Sequence, residues 1–153
     1  MGERYGVQPL AGEGPFAPME HSVKLEYSRE EDERVDGTDF RSIVGALHYA
    51  SFCTRPDIAA SVSILSKFLV DPNMQHMRQA KHVLAYLLAT AQYGLEYRRE
   101  LPAGPKQTNM KPGVIAGFAD ATFADGIATQ RSHTGYVFLL NGAAISWSSR
   151  QQD

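Results

Sequence analysis

From residue 40 to residue 91 the apolar positions recur every third or fourth residue, and after residue 113 they alternate or run together. The first rhythm is helical and the second belongs to strands. Phe40, Ile43, Val44, Leu47 and Ala50 form one helical stripe, with Thr38 or Asp39 placed to cap it. Thr54-Arg55-Pro56-Asp57 interrupts, because proline disfavours a helical residue before it and suits the first turn of the next helix. Ile58, Val62, Leu65 and Leu69 make the second stripe. Asp71-Pro72 repeats the device, with Asp71 as the expected cap, and a third helix is predicted over residues 73–90 with Met77, Ala80, Leu84, Leu87 and Ala91 on its apolar face. Turns this short make the three helices packed neighbours.

Residues 93–98 alternate like a short strand. Residues 100–112 hold three prolines, a glycine and two lysines and read as a linker. Three strands are predicted beyond it, over 114–119, 133–140 and 143–148, the last two joined by Asn141-Gly142. That dipeptide between β-rich runs predicts a hairpin, since both residues tolerate positive φ. The expected class is α+β: a three-helix bundle, then a three-stranded antiparallel sheet with no helix after it. Residues 1–38, rich in Gly and Pro and then acidic, are expected to be an extended leader that buries little apolar surface.

Charge sharpens this division. Residues 1–39 carry ten acids and four bases, net −6, whereas residues 40–99 carry seven bases and three acids, net +4. A basic middle suits a polyanionic partner, but from charge alone a solvated helical surface is the simpler account. Arg78, Lys81 and His82 lie close together on the third helix, away from its apolar stripe, and are the candidate nucleic-acid contacts. Cys53 is the only cysteine, which excludes an intrachain disulfide; its apolar surroundings predict a small core residue. No apolar run approaches the ~20 residues of a membrane span, and the N-terminus does not read as a signal peptide, so an intracellular protein, cytoplasmic or nuclear, with no membrane partner is expected.

Most catalytic patterns are missing. No two of the five histidines are four apart, a lone cysteine provides no zinc spacing, and neither a nucleophile elbow nor a P-loop is present. Asp120 is the acid to examine: it follows the run Val-Ile-Ala-Gly-Phe-Ala, where a strand emerges from the core, with Asp125 five residues later. A carboxylate there can ligate Mg²⁺, but two-metal phosphodiester chemistry needs several carboxylates to converge. An aspartate after a strand is also an ordinary turn former.

The stretch FRSIVGALHYASFCTRPDIAASVSILSKFL closely resembles the segment after the polymerase palm in copia-type retrotransposon polyproteins. DPNMQHMRQAKHVLAYLLAT is similar to that family's next segment, GFADATFADG resembles its first RNase H strand, and RSHTGYVFLLNGAAISWSSRQQ resembles the two strands after it. The leader, with FAPMEHSVKL, resembles the piece just after the palm, so the likeness runs in order along nearly the whole chain. It implies a parent that makes DNA on an RNA template and hydrolyses RNA–DNA hybrids with Mg²⁺. Residues 39–99 would then be the thumb or connection region of the reverse transcriptase, and residues 113–153 the incomplete start of an RNase H-like domain. Asp120 matches the family's first RNase H metal ligand and catalytic carboxylate. The next ligand, a glutamate after the Trp-Ser-Ser stretch, would lie past Asp153, so a catalytically inactive chain is expected.

The chain departs from the family at Met77 and Phe123, where tryptophans are usual, at Thr122 in place of an acid, and at LLATAQYGL, which lacks a lysine-glycine pair. The implied partners are an RNA–DNA hybrid or other nucleic acid and the remaining polyprotein segments. The alternative is a non-catalytic nucleic-acid-binding or assembly module derived from a transposon.

Overall fold

A computed structural model describes residues 2–7, 15, 17–19, 23–99, 111–122 and 132–152. The class is α+β, and the chain divides into two compact units, Met1–Tyr93 and Gly94–Asp153.

The first unit holds three helices: α1 (Gly37–Cys53), α2 (Ala59–Leu65) and α3 (Met74–Ala89). Short 3₁₀ turns at Pro56–Ile58 and Ser66–Phe68 flank α2. Helix α1 starts two residues earlier than its stripe suggests, so its cap is neither Thr38 nor Asp39: the Asp36 carboxylate accepts the Thr38 N–H at 2.7 Å. The cap of α3 is likewise displaced. Asp71 does not serve; Asn73 does, its amide oxygen accepting the His76 N–H at 3.1 Å while the His76 ring accepts the Asn73 N–H at 3.0 Å. Pro72 lies one residue before that cap, and its carbonyl accepts the Val35 N–H.

The apolar stripes meet as their spacing predicts. Phe40, Ile43, Val44 and Leu47 of α1, Val62 and Leu65 of α2, and Met77, Ala80, Val83 and Leu84 of α3 form one core with Ile58, Phe68 and Tyr86. Ala91 falls outside it and is exposed. Cys53 is not a core residue: it is exposed, because α1 turns it to the side shared by Tyr49 and Phe52. The leader also differs from expectation. Its described part holds a 3₁₀ turn at Glu3–Tyr5 and is mostly irregular or extended after it, and Tyr5, Val7, Met19, Leu25 and Val35 pack half-buried against the helical core. Backbone bonds hold it there: the Val35 N–H reaches Pro72, and the Met74 N–H reaches Glu33.

The second unit is a meander of β1 (Ala116–Thr122), β2 (His133–Leu140) and β3 (Ala143–Gln151), antiparallel and in the order β1-β2-β3. Asn141 (φ 52°) and Gly142 (φ 90°) make the tight turn between β2 and β3, as a two-residue hairpin of matching twist requires. Residue 145 is extra on β3, since Phe138 pairs with Ser146 and Leu139 with Ala144, which makes a bulge. Residues 93–98 are not a strand. They make one backbone bond to the hairpin turn, from the Arg98 N–H to the Asn141 carbonyl at 3.0 Å, and the Tyr97 hydroxyl donates to the Ala144 carbonyl at 2.7 Å. The linker expected over 100–112 lies outside the described residues except for Lys111 and Pro112.

Leu47 is fully buried at the centre of the helical core. Leu47→Ala is expected to destabilise the helical unit by about 2–5 kcal/mol, read as a lower urea midpoint with an unchanged slope.

Candidate nucleic-acid interface and the lone carboxylate

Helix α3 decides what the basic middle can present. With Met77, Ala80 and Leu84 facing inward, helical geometry sends Arg78 and Lys81 outward, and both are exposed. Neither makes an ion pair among the described residues. His82 differs from them: it is half-buried, and its Nε2 lies 3.1 Å from the Ala17 carbonyl in the leader. The structure therefore sets Arg78 and Lys81 on open surface and turns the third candidate toward the chain itself.

Two polar clusters brace this helix, and neither was singled out from the sequence. At its N-terminus His76 is fully buried. Its Nδ1 accepts a backbone N–H, so that nitrogen carries no proton; the proton sits on Nε2, which donates to the Glu26 carbonyl at 2.9 Å. The ring stacks on Phe68 with centroids 3.9 Å apart. Burial pushes the imidazole below its ordinary pKa, and the Glu26 carbonyl, Asp32 and Asp71 oppose that shift without cancelling it.

At the other end of α3 lies Arg55. Its guanidinium grips Asp57 through two parallel bonds, Nε to Oδ1 at 2.9 Å and Nη2 to Oδ2 at 2.7 Å. It also donates to the Thr90 carbonyl at 3.0 Å and the Thr90 hydroxyl at 2.6 Å, which satisfies the end of the helix. The Tyr86 and Tyr93 rings lie 5.5 and 5.9 Å from its guanidinium carbon. The Tyr86 hydroxyl donates to Asp57 at 2.9 Å. Burial pushes the Asp57 carboxyl up, but the bonds from Arg55 and Tyr86 outweigh it and hold the group below the usual carboxylate range. The Thr-Arg-Pro-Asp run thus acts as a clamp between the α1–α2 turn and the end of α3. Its signal in the sequence was an arginine and an aspartate two apart around a proline, a spacing that does not disclose a partner 35 residues away.

Asp120 is in the second unit, within β1 opposite Gly135 rather than at a strand end, because β1 runs on to Thr122. It is exposed, and its Oδ1 accepts the Ala121 N–H at 2.9 Å. Asp125 lies outside the described residues. Among the described residues no three His, Cys, Asp or Glu side chains converge on a point that could hold a metal. Two-metal phosphodiester chemistry needs several converging carboxylates, and the described residues bring no such group to Asp120. Among the described residues, too, no helix is long and apolar enough to cross a membrane.

Known proteins place the chain more firmly than its geometry does. It is 42% identical over 113 residues to the secreted RxLR effector protein 161 of Plasmopara viticola, covering 74% of this chain and 72% of that protein. It is 37% identical over 123 residues to the retrovirus-related Pol polyprotein from transposon TNT 1-94 of Nicotiana tabacum, covering 80% of this chain. It is 34% identical over 136 residues to the corresponding polyprotein from transposon RE1 of Arabidopsis thaliana, covering 88% of this chain. The chain spans only 8% of the length of each of those two polyproteins. No family model matches it. No solved structure matches it either.

Two outcomes are expected from the braces. The unfolded chain takes up the His76 proton near pH 6.5, whereas the folded chain resists it to lower pH. Between those values the unfolded state binds more protons, so the stability His76 confers is present above about pH 6.5 and is lost as pH falls through the folded value. Urea midpoints of the helical unit should therefore drop from pH 7 to pH 5, and His76→Gln should flatten that slope. Arg55→Lys should lower stability by about 1–3 kcal/mol in the same titration at pH 7, because an ammonium cannot reproduce the fork on Asp57 and the cap on Thr90 together.

Proposed function

The chain belongs to the family of copia-type LTR retrotransposon Pol polyproteins, and on that footing we propose that it joins a reverse transcriptase to its RNase H-like domain and holds nucleic acid without cutting it. In this reading the helical unit is the thumb or connection region, and the meander is the beginning of the RNase H-like sheet. The observation that carries it is the order of the two units: a braced three-helix unit precedes an antiparallel meander whose first strand bears Asp120. Arg78 and Lys81, exposed on α3, would meet phosphates of an RNA–DNA hybrid, and the release of counterions would make that contact weaken with salt. His82, tied to Ala17, would act by keeping the leader beside that surface.

Asp120 would become a metal ligand only in company with other carboxylates, supplied by further polyprotein segments. The parent's work, RNA-directed DNA synthesis and hydrolysis of the hybrid, then belongs to the larger assembly. Its compartment would be the cytoplasm or the nucleus, where template and product are found.

The purified chain is expected to bind a labelled RNA–DNA hybrid at low salt, to lose affinity as salt rises, and to cleave none of it with Mg²⁺. Arg78→Ser with Lys81→Ser should weaken binding and shallow the salt dependence by about two counterions' worth of slope. Mg²⁺-dependent cleavage that disappears in Asp120→Asn would overturn the non-catalytic reading, and salt-independent binding would overturn the phosphate contacts.

A further inference from the structure

The hairpin turn holds an amide beside a nitrogen that can attack it. Of the asparagines Asn73, Asn109 and Asn141, only Asn141 is followed by glycine. Glycine has no side chain to crowd its own nitrogen. Gly142 is exposed, and its N–H makes no hydrogen bond among the described residues. That nitrogen is open as a nucleophile, and the side-chain carbon within its reach is Cγ of Asn141. Two backbone donors bear on the groups that would react. The Gly113 N–H donates to Asn141 Oδ1 at 2.7 Å. Attack on Cγ puts negative charge on that oxygen, and a donor already aimed at it stabilises the charge. The Arg98 N–H donates to the Asn141 backbone carbonyl at 3.0 Å. That carbonyl is conjugated with the Gly142 nitrogen, so the bond it accepts makes the nitrogen's proton easier to lose. The turn opposes ring closure by restricting rotation at Asn141. Fixing one residue's backbone is worth about tenfold in rate, whereas one donor to a developing oxyanion is worth about a hundredfold.

We propose that Asn141 is a self-modification site: the Gly142 nitrogen attacks Asn141 Cγ, ammonia leaves, and water opens the resulting succinimide to aspartate or isoaspartate. The bond formed is Cγ–N and the bond broken is Cγ–Nδ2. The Gly142 proton leaves with Nδ2 as ammonia, and nothing is oxidised or reduced. Water attacking the backbone carbonyl of the ring gives isoaspartate, which routes the chain through Cβ and Cγ and lengthens the turn by a carbon. A two-residue hairpin has no slack for that. The pair Leu140 and Ala143 flanks the turn, and Ala143 and Ala144 are the buried hydrophobic residues described in the sheet. Isoaspartate also moves both oxygens that hold Arg98 and Gly113, so the hairpin and its anchors loosen together. The modification is a one-way release built into the turn. It involves the second unit alone and is independent of the nucleic-acid reading.

The test is to age the purified full chain at neutral pH, folded and in urea. Each asparagine is followed by peptide mass spectrometry, and isoaspartate is identified with an isoaspartyl methyltransferase. Asn141 should react before Asn73 and Asn109, and about tenfold faster in the folded chain than in urea. Arg98→Pro, which lacks the N–H, should slow the folded reaction and leave the rate in urea unchanged. Asn141→Gly keeps both turn residues free to take positive φ and has no amide to lose. Its strands should keep their amide-exchange protection on ageing while those of the wild type lose theirs. A folded rate equal to or below the rate in urea would mean that the turn protects Asn141, and would overturn the proposal. Isoaspartate at 141 with unchanged amide exchange over residues 133–151 would overturn the release.

Discussion

A neutral imidazole with no exposure to solvent is the point on which the helical unit turns. His76 closes the first turn of α3, holds the extended leader through Glu26 and fills the space beside Phe68. Each of these needs the ring in one tautomer and one orientation. The surroundings follow: Asn73 is oriented on one side by His76 and on the other by Asp32, Ser28 and Arg34 both bond Asp71, and Val35 bonds Pro72. A buried polar group is costly unless every donor and acceptor is met, and here each ring nitrogen has its partner. The acidic leader is therefore part of the helical unit's structure, although its composition reads as that of a solvated tail.

The two units solve the problem of burying apolar surface to very different degrees. The helices enclose a continuous core from Phe40 to Tyr86, whereas the buried hydrophobic residues described in the sheet are Ala143 and Ala144. Phe118 on one face and Tyr136 and Phe138 on the other stay partly open to solvent. Phe138 lies across Gly117, where a Cβ would come within 2.6 Å of its ring, so that cross-strand pair packs ring on backbone. Three strands with so little enclosed between them gain much less from burial than three helices do.

How much of this was legible in the sequence depended on the range of the interaction. The stripes of α1, α2 and α3 and the Asn141-Gly142 hairpin are local patterns, repeated every few residues, and the structure contains them. The caps moved by two or three residues because several Asp, Asn and Thr side chains stand near each helix start, and the backbone geometry chooses among them. Cys53 was misplaced because it sits in an apolar stretch on the wrong side of a helix, where neighbourhood in sequence says nothing about burial. His76, Arg55 and Tyr86 were hidden for a different reason. Their partners lie 50, 35 and 29 residues away, and no periodicity encodes a pairing at that distance. The site candidates separated in the same way: exposure of Arg78 and Lys81 follows from helix phase, while the tie of His82 to Ala17 does not.

Asn141 has a role beyond the hairpin it helps to turn. Its carbonyl receives the Arg98 N–H, and its side-chain oxygen receives the Gly113 N–H at 2.7 Å. The stretch between residues 98 and 113 therefore leaves and returns at a single residue. With both ends pinned, the cost of closing the loop grows only with the logarithm of its length, about 0.6 kcal/mol for each doubling. The sheet is indifferent to how many residues lie between those anchors. A change in the number of residues between those anchors is therefore expected to leave the three strands in register.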